Sequence, residues 1–253
     1  MSFAGDVKAE LCRGKLGDKS TAQAEACGVL LYCNRFTRDL VKVATESPAF
    51  AQRLPALFRK AFGLTFDEKG DPSVPGKRIF TITDRKKLSL LWEVCAFDPS
   101  GPTHHINFGM LEDLPCRLAF LRGAFLAGGS VTDPQKGYHL ELATSHLRVS
   151  RELRALLLEL GYAPKETTRK ANYITYFKQS EAIEDFLMSN NVLPLGALVF
   201  LLFCTSKRGW GWDAFLREAD TGEGTRFPRW ARGYVRFALP VLILAVFVAG
   251  YVP

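Results

Sequence analysis

The hydrophobic positions of the chain predict a series of helices and short strands over residues 21–189. Leu153, Leu156, Leu157 and Leu160 recur at helical spacing, and Gly161 follows where such a helix would end. Runs of β-branched and aromatic residues with partial period-two alternation predict strands near 38–45, 63–67, 78–83, 138–144, 162–169 and 173–178. Apolar helical patterns predict helices at 21–33, 48–62, 84–96, 115–127, 147–160 and 180–189. This mixture of helices and strands makes the expected fold class α+β.

The predicted elements repeat the same order twice, which indicates a duplicated domain. Each copy opens with an apolar helix, at 21–33 in the first copy and at 115–127 in the second. Gly28 and Gly123 occupy equivalent positions in these two helices. Each copy alone would leave one apolar face uncovered. We therefore expect residues 20–190 to form one pseudo-two-fold domain, with Gly28 and Gly123 at the closest approach of the central helices, because glycine has no side chain to hold them apart.

The segment 121–132, Leu-Arg-Gly-Ala-Phe-Leu-Ala-Gly-Gly-Ser-Val-Thr, resembles the LAGLIDADG motif of homing endonucleases, and residues 26–33 resemble a degenerate copy. In that motif an acid at the eighth position binds the catalytic metal. Cys33 and Gly128 stand at this position here, and neither offers the carboxylate oxygen that Mg²⁺ requires. The resemblance therefore implies no catalytic residue, no metal, no cofactor and no enzymatic activity.

Three further stretches extend the resemblance to the bacterial WhiA family: residues 2–11, 117–141 and 173–178. The resemblance covers roughly residues 1–190. It implies a duplicated LAGLIDADG homing-endonuclease-like domain with two antiparallel-containing sheets. It also implies a non-catalytic DNA-binding transcriptional regulator of cell division, chromosome segregation and, in sporulating relatives, sporulation. Such a regulator would be cytoplasmic and nucleoid-associated.

The predicted organisation is an N-terminal segment at 1–19, repeats at 20–112 and 113–192, and an atypical apolar tail at 193–253. The family resemblance implies a C-terminal helix-turn-helix domain in place of this tail. We expect a frameshifted or truncated gene, and hence weak or sequence-tolerant binding of double-stranded DNA. Residues 237–252 are shorter than the roughly 20 apolar residues of a membrane-spanning helix. We expect no membrane anchor, although insertion of this segment remains an open alternative.

The charge pattern suggests where DNA would be bound. Of the net charge of +7, residues 194–253 contribute +3 through seven basic and four acidic side chains, which leaves a modest +4 for the rest. Arg38 and Lys42 are predicted on one face of the first strand, and Lys165 and Arg169 on one face of a later strand. Basic side chains on such faces would meet phosphates. The alternatives are that these are solvated sheet residues, and that the domain is a protein-interaction module without DNA binding.

The cysteines and histidines do not indicate a metal site. The six cysteines include no CxxC pair, and we expect all of them to be reduced, with several serving as small hydrophobic side chains. His104 and His105 lie between Cys95 and Cys116, but the spacings match no common zinc pattern. A solvated loop is the expected setting of these histidines.

Overall fold

The computed structural model describes residues 3–71, 76–97, 101, 103–132, 137, 139–179, 182–183, 186–187, 212, 217 and 233–242. The chain divides into two compact units, residues 1–190 and 191–253. The described helices and strands of both repeats lie in the first unit. The repeat and tail boundaries expected at 19/20, 112/113 and 192/193 stay predictions.

One helix, α1 (Phe3–Arg13), precedes the first copy of the repeat. The elements of the first copy are α2 (Lys19–Tyr32), β1 (Arg35–Phe36), β2 (Val41–Thr45), α3 (Pro48–Phe62), β3 (Arg78–Ile82) and α4 (Arg85–Val94). Local signals set the ends of α3: the Ser47 side chain accepts a hydrogen bond from Phe50 N–H, Pro48 fits the first turn, and Gly63 ends the helix at a φ of 71°.

The second copy follows a short connection that includes a 3₁₀ turn at Phe108–Met110. Its elements are α5 (Leu114–Gly128), β4 (Gly129–Val131), β5 (Leu140–Thr144), α6 (Leu147–Glu159), β6 (Lys165–Arg169) and β7 (Asn172–Phe177). Residues 182–183 and 186–187 are helical, and the remainder of the helix predicted at 180–189 lies outside the described residues.

The two sheets share one topology, so the duplication is visible in the strand order. The first sheet has the order β1-β2-β3 and the second β4-β5-β7-β6, with every pairing antiparallel. β2 and β5 correspond residue by residue: Ala44 matches Ala143 and Thr45 matches Thr144. Both threonine hydroxyls accept a hydrogen bond from the backbone N–H two residues later. The predicted α+β duplicated fold is confirmed.

The sheets differ at the edge where β6 lies in the second copy. The strand predicted near 63–67 did not form. Instead a single bridge joins Glu68 to Thr81 on β3. The two-residue strand β1 was not predicted, because two residues are too few to show any alternation. The strand predicted at 38–45 begins only at Val41, because a hydrogen bond from Thr37 N–H to Leu40 O closes a turn before it.

The core lies where α2 and α5 pack against each other and against the inner faces of both sheets. Both helices are buried nearly all round, which explains why neither shows a strong apolar stripe. The outer helices α3 and α6 are amphipathic and bury only one side, represented by Phe50 and Leu54 in α3 and by Leu153 and Leu157 in α6. Alternation along β2 and β5 directs every second side chain into this core.

The expectation that the cysteines are all reduced is wrong for one pair. Cys27 on α2 and Cys95 at the end of α4 form a disulfide, with their Cα atoms 6.2 Å apart. These residues are 68 positions apart in sequence, so their pairing depends on the tertiary return of α4 to the central helix and left no local spacing signal. Among the described cysteines, Cys12, Cys33 and Cys116 are free.

The second unit is described at Trp212, Arg217 and 233–242, where a π-helical turn spans Tyr234–Ala238. Most of the predicted apolar tail, and the hypothesis of a frameshift within it, fall outside the described residues. No helix among the residues that the structure describes is long and apolar enough to cross a membrane.

Candidate nucleic-acid interface

The contact between the central helices is built on two glycines. A Cβ atom added to Gly28 would lie 2.2 Å from Phe120 O, and one added to Gly123 would lie 1.9 Å from Glu25 O. Real Cβ atoms do not approach backbone oxygens so closely. The structure therefore brings Gly28 and Gly123 into the helix contact itself, and any larger side chain would force the backbones apart.

A buried ion network, which the sequence analysis missed, spans the same contact. Glu25 on α2 is 1% exposed and accepts hydrogen bonds from Arg53 Nε at 2.6 Å and Arg53 Nη2 at 2.9 Å. Arg122 on α5 donates from Nε to the same carboxylate at 3.1 Å. One carboxylate thus joins α2, α3 and α5, and therefore both copies of the repeat. A lone acid inside the apolar helix 21–33 was the available signal, since a buried acid requires a partner.

In the first copy of the motif, Cys33 stands at the position where active homing endonucleases have an acid, and its side chain is a neutral thiol. The Cys33 Sγ lies 3.2 Å from the backbone carbonyl oxygens of both Leu30 and Arg35, which share its single S–H donor. Burial raises the pKa of the Cys33 thiol to about 12, so the thiol remains protonated near neutral pH. A protonated thiol is a poor ligand for a hard cation such as Mg²⁺.

The second motif position has no room for a side chain. A Cβ atom on Gly128 would lie 2.5 Å from Ala143 O and 3.0 Å from Tyr32 O. This helix end therefore has closely packed backbone at the position where active homing endonucleases have a carboxylate. Within the described parts of the chain, no group of three or more His, Cys, Asp or Glu side chains is arranged to hold a metal ion.

The outward faces of the two sheets carry the predicted basic residues, apart from Arg38. On the first sheet, strand register places Arg35, Lys42 and Thr81 in one row, opposite in direction to the buried Val41 and Val43. Arg35 is exposed and was missed because β1 was not predicted. Lys42 is half-buried in the centre of the row.

Arg38 is placed differently from its prediction. It lies in the turn between β1 and β2 rather than on the face of a strand with Lys42. Its neighbours there are Asp39 and, across a groove of about 600 Å³, Arg85 and Trp92 of α4. Arg38 is exposed, and Asp39 and Glu93 line the same groove, so both signs of charge are present there.

On the second sheet, Lys165, Thr167 and Arg169 alternate along the outward face of β6, as their prediction on one strand face requires. Register places Lys165 in one row with Tyr176 and Glu141. Arg169 is not a free cation, because its Nη2 lies 3.5 Å from the Glu141 carboxylate. His139 Nε2 lies 3.2 Å from the same carboxylate.

The two copies differ in charge at one equivalent position. Lys42 on β2 corresponds to Glu141 on β5, in the aligned segments Val-Lys-Val-Ala-Thr and Leu-Glu-Leu-Ala-Thr. The first sheet is not uniformly basic either, since the exposed Glu68 bridges Thr81 at its edge. On the described sheets, the first copy thus has a basic side chain at a position where the second copy has an acid.

His104 and His105 lie in a loop, as predicted, but the loop is only partly solvated, because His104 is half-buried in an aromatic cluster. The His104 ring stacks on Phe36 at 4.7 Å between centroids, and its Nε2 lies 3.0 Å from Phe36 O. His146, which precedes α6, meets His104 edge-on at 4.4 Å. Burial lowers the pKa of His104 and of His146. The pKa of His146 falls to about 4, and the neighbouring His104 contributes to this shift. The cluster ties the connection between the copies to both of them.

Comparison with known proteins agrees with this architecture. A family model described as the WhiA LAGLIDADG-like domain matches residues 117–192. The probable cell division protein WhiA of Ruminiclostridium cellulolyticum is 34% identical over 221 residues, which cover 79% of this chain. The match covers 66% of that relative, so the chain spans just under two thirds of its length.

Solved structures show the same fold. The N-terminal LAGLIDADG domain of DUF199/WhiA matches with a TM-score of 0.60 at 20% identity, over 75% of this chain and 90% of that one. Full-length DUF199/WhiA from Thermatoga maritima matches with a TM-score of 0.59 at 17% identity, over 98% of this chain and 75% of that one.

Proposed function

Because the chain belongs to the WhiA family, we propose that its duplicated domain is a non-catalytic, DNA-binding part of a regulator of cell division. The observation that carries the proposal is the pair of neighbouring basic side chains, Arg35 and Lys42, on the outward face of the first sheet. The name of the relatives, probable cell division protein, supports the biological role. Sporulation, chromosome segregation and a nucleoid location in the cytoplasm belong to the same proposal.

The proposed contact is electrostatic. We propose that Arg35, Arg38, Lys42 and Lys165 contact phosphates, which position a protein on DNA without reading its sequence. Arg169 contributes less, because Glu141 neutralises it. Sequence reading requires side chains held against base edges in a groove. We therefore propose that this domain binds double-stranded DNA weakly and with little sequence preference.

A salt titration tests the proposal. Binding of a random duplex, followed by fluorescence anisotropy, should weaken steeply with salt, and R35Q/K42Q should lower the slope of log K against log salt by roughly 2. The matched control is K86Q/R151Q, which removes the same charge from exposed positions on α4 and α6. Equal losses in the two double variants would refute binding through the sheet face.

The charge difference between the copies gives a gain-of-function test. E141K places a lysine where the first copy has Lys42. It also removes the carboxylate that Arg169 and His139 contact. We expect tighter DNA binding and a steeper salt dependence than in the unmodified chain. Unchanged affinity would mean that DNA does not reach the second sheet.

The absence of catalysis is proposed from the motif positions. A neutral thiol at Cys33 and a packed backbone at Gly128 provide no carboxylate for Mg²⁺. Supercoiled plasmid incubated with the purified protein and Mg²⁺ should remain un-nicked. Nicking that is abolished by C33A would overturn the proposal.

The second candidate is a protein-interaction module that has lost DNA binding. Glu141 favours it, because this acid lies in the centre of the outward row of the second sheet. Such a module would give no DNA-dependent signal even at low salt. A preference well above tenfold for a WhiA binding site over a random duplex would instead show specific reading, since specific sites are typically bound about 10³–10⁷ times more tightly than random DNA.

A further inference from the structure

A cavity of about 690 Å³ lies beside the ends of the two motif helices, and the proposed DNA contact does not use it. Its wall includes Asn34, two residues after the end of α2, and Leu126, in the last turn of α5. α1 closes another side through Lys8, and Ser130 of β4 is also part of the wall. Small-molecule sites typically have volumes of roughly 300–1,000 Å³ and a mainly apolar wall with a few polar groups.

The electrostatics of the cavity favour an anion. Lys8 is a largely buried cation, and within the described chain its contacts are neutral: Nζ donates to Leu126 O at 3.1 Å and lies 5.8 Å from the Phe125 ring. A cation held away from water without a carboxylate is energetically unfavourable. Lys77 adds a second positive charge to the wall, and Glu46 is the one negative side chain among the described residues that line it.

Two polar groups complete the wall. Asn34 Oδ1 accepts a hydrogen bond from Ala44 N–H at 2.6 Å, which leaves the amide nitrogen of Asn34 as a donor. Ser130 provides a hydroxyl group. Two lysines, an amide donor and a hydroxyl suit the oxygens of a phosphate group, since hydrogen bonds between charged groups are stronger than those between neutral ones.

We propose that this cavity binds a small organic phosphate of about the size of a mononucleotide, with the phosphate group between Lys8 and Lys77. The ligand supplies the negative charge that Lys8 lacks, and its uncharged part contacts the apolar wall at Leu126. The site lies next to the positions where an active nuclease of this fold holds its acids, but it depends on α1, which precedes the duplicated domain. It is a ligand site separate from the proposed DNA contact.

Isothermal titration calorimetry with AMP, inorganic phosphate and adenosine tests the proposal on the full chain. AMP and phosphate should bind, AMP more tightly because it also fills the apolar part, and adenosine should not bind. K8M and K77Q should each weaken AMP binding by roughly tenfold or more, the usual scale for losing one charged hydrogen bond. K86Q, which removes an exposed lysine of α4, is the matched control and should leave AMP binding unchanged.

The variants also separate this site from the DNA contact. Lys77 is exposed, so K77Q should fold normally even if K8M is affected by loss of the hydrogen bond to Leu126. R35Q/K42Q should retain AMP binding whether or not the chain binds DNA. The proposal is overturned if AMP does not bind, if adenosine binds as well as AMP, or if K77Q binds AMP like the unmodified chain. Loss of duplex DNA binding in K8M and K77Q without any AMP binding would assign these lysines to DNA instead.

Discussion

Gly123→Ala should destabilise the protein, although the same change in most helices is favourable. Alanine improves helix propensity over glycine by about 1 kcal/mol. At this position, however, the new methyl group would lie 1.9 Å from Glu25 O and 2.9 Å from Glu25 C, both of them backbone atoms of the partner helix. Overpacking a well-filled core costs about 1–3 kcal/mol, and a clash with backbone belongs at the upper end. The net expectation is a loss of about 2 kcal/mol.

Urea unfolding followed by far-ultraviolet circular dichroism measures this loss as a lower midpoint at an unchanged slope. Gly63→Ala is the matched control, because no atom lies within 4 Å of its added methyl group. Its φ of 71° makes alanine strained there by about 1 kcal/mol without any crowding. A Gly123→Ala protein as stable as the unmodified chain, or more stable, would show that the central helices are not in the tight contact described.

Three further predictions concern buried groups of the first unit. Glu25→Gln should cost about 3–5 kcal/mol in urea unfolding, because it leaves Arg53 buried without its carboxylate, whereas the exposed Glu112→Gln should have little effect. Reduction with dithiothreitol should lower the free energy of unfolding by about 2–4 kcal/mol through loss of the Cys27–Cys95 disulfide. Cys95→Ser should remove this response to dithiothreitol. A thiol count that shows Cys95 already reduced in the purified protein would contradict the prediction. Because the folded state holds His146 at a lowered pKa of about 4, its contribution to stability is present above the unfolded pKa of about 6.5 and is lost as the pH falls toward 4. Urea midpoints at about pH 7.5 and pH 5 should therefore differ less in His146→Gln than in the unmodified chain.

The sequence predicted the elements whose residues carry local signals. The spacing of Leu153, Leu156 and Leu157 placed α6, and Ser47 and Gly63 bound α3 at the predicted ends. The duplication followed from element order, because each copy repeats a helix that cannot bury its apolar surface alone. These features are encoded within a few turns of chain, so one sequence is enough to read them.

Features that depend on tertiary partners were not predicted. The Glu25 network, the Cys27–Cys95 pair and the burial of His104 each join segments far apart in sequence. The face of β6 was predicted, but the neutralisation of Arg169 required knowing that Glu141 lies two strands away in the same sheet. Strand patterns therefore predict which face a basic residue occupies, but they do not predict which charged side chains surround it.

The packing at Gly128 limits which side chains this helix end can hold. Ala143 O and Tyr32 O occupy the space in which the side chain of a restored acid would begin. A single Gly128→Asp change would therefore meet backbone before it could meet a metal ion. Placing an acid at this position would require movement of β5 and of the end of α2 together with the substitution. The packing of the backbone, and not only the identity of one residue, therefore keeps a carboxylate away from this helix end.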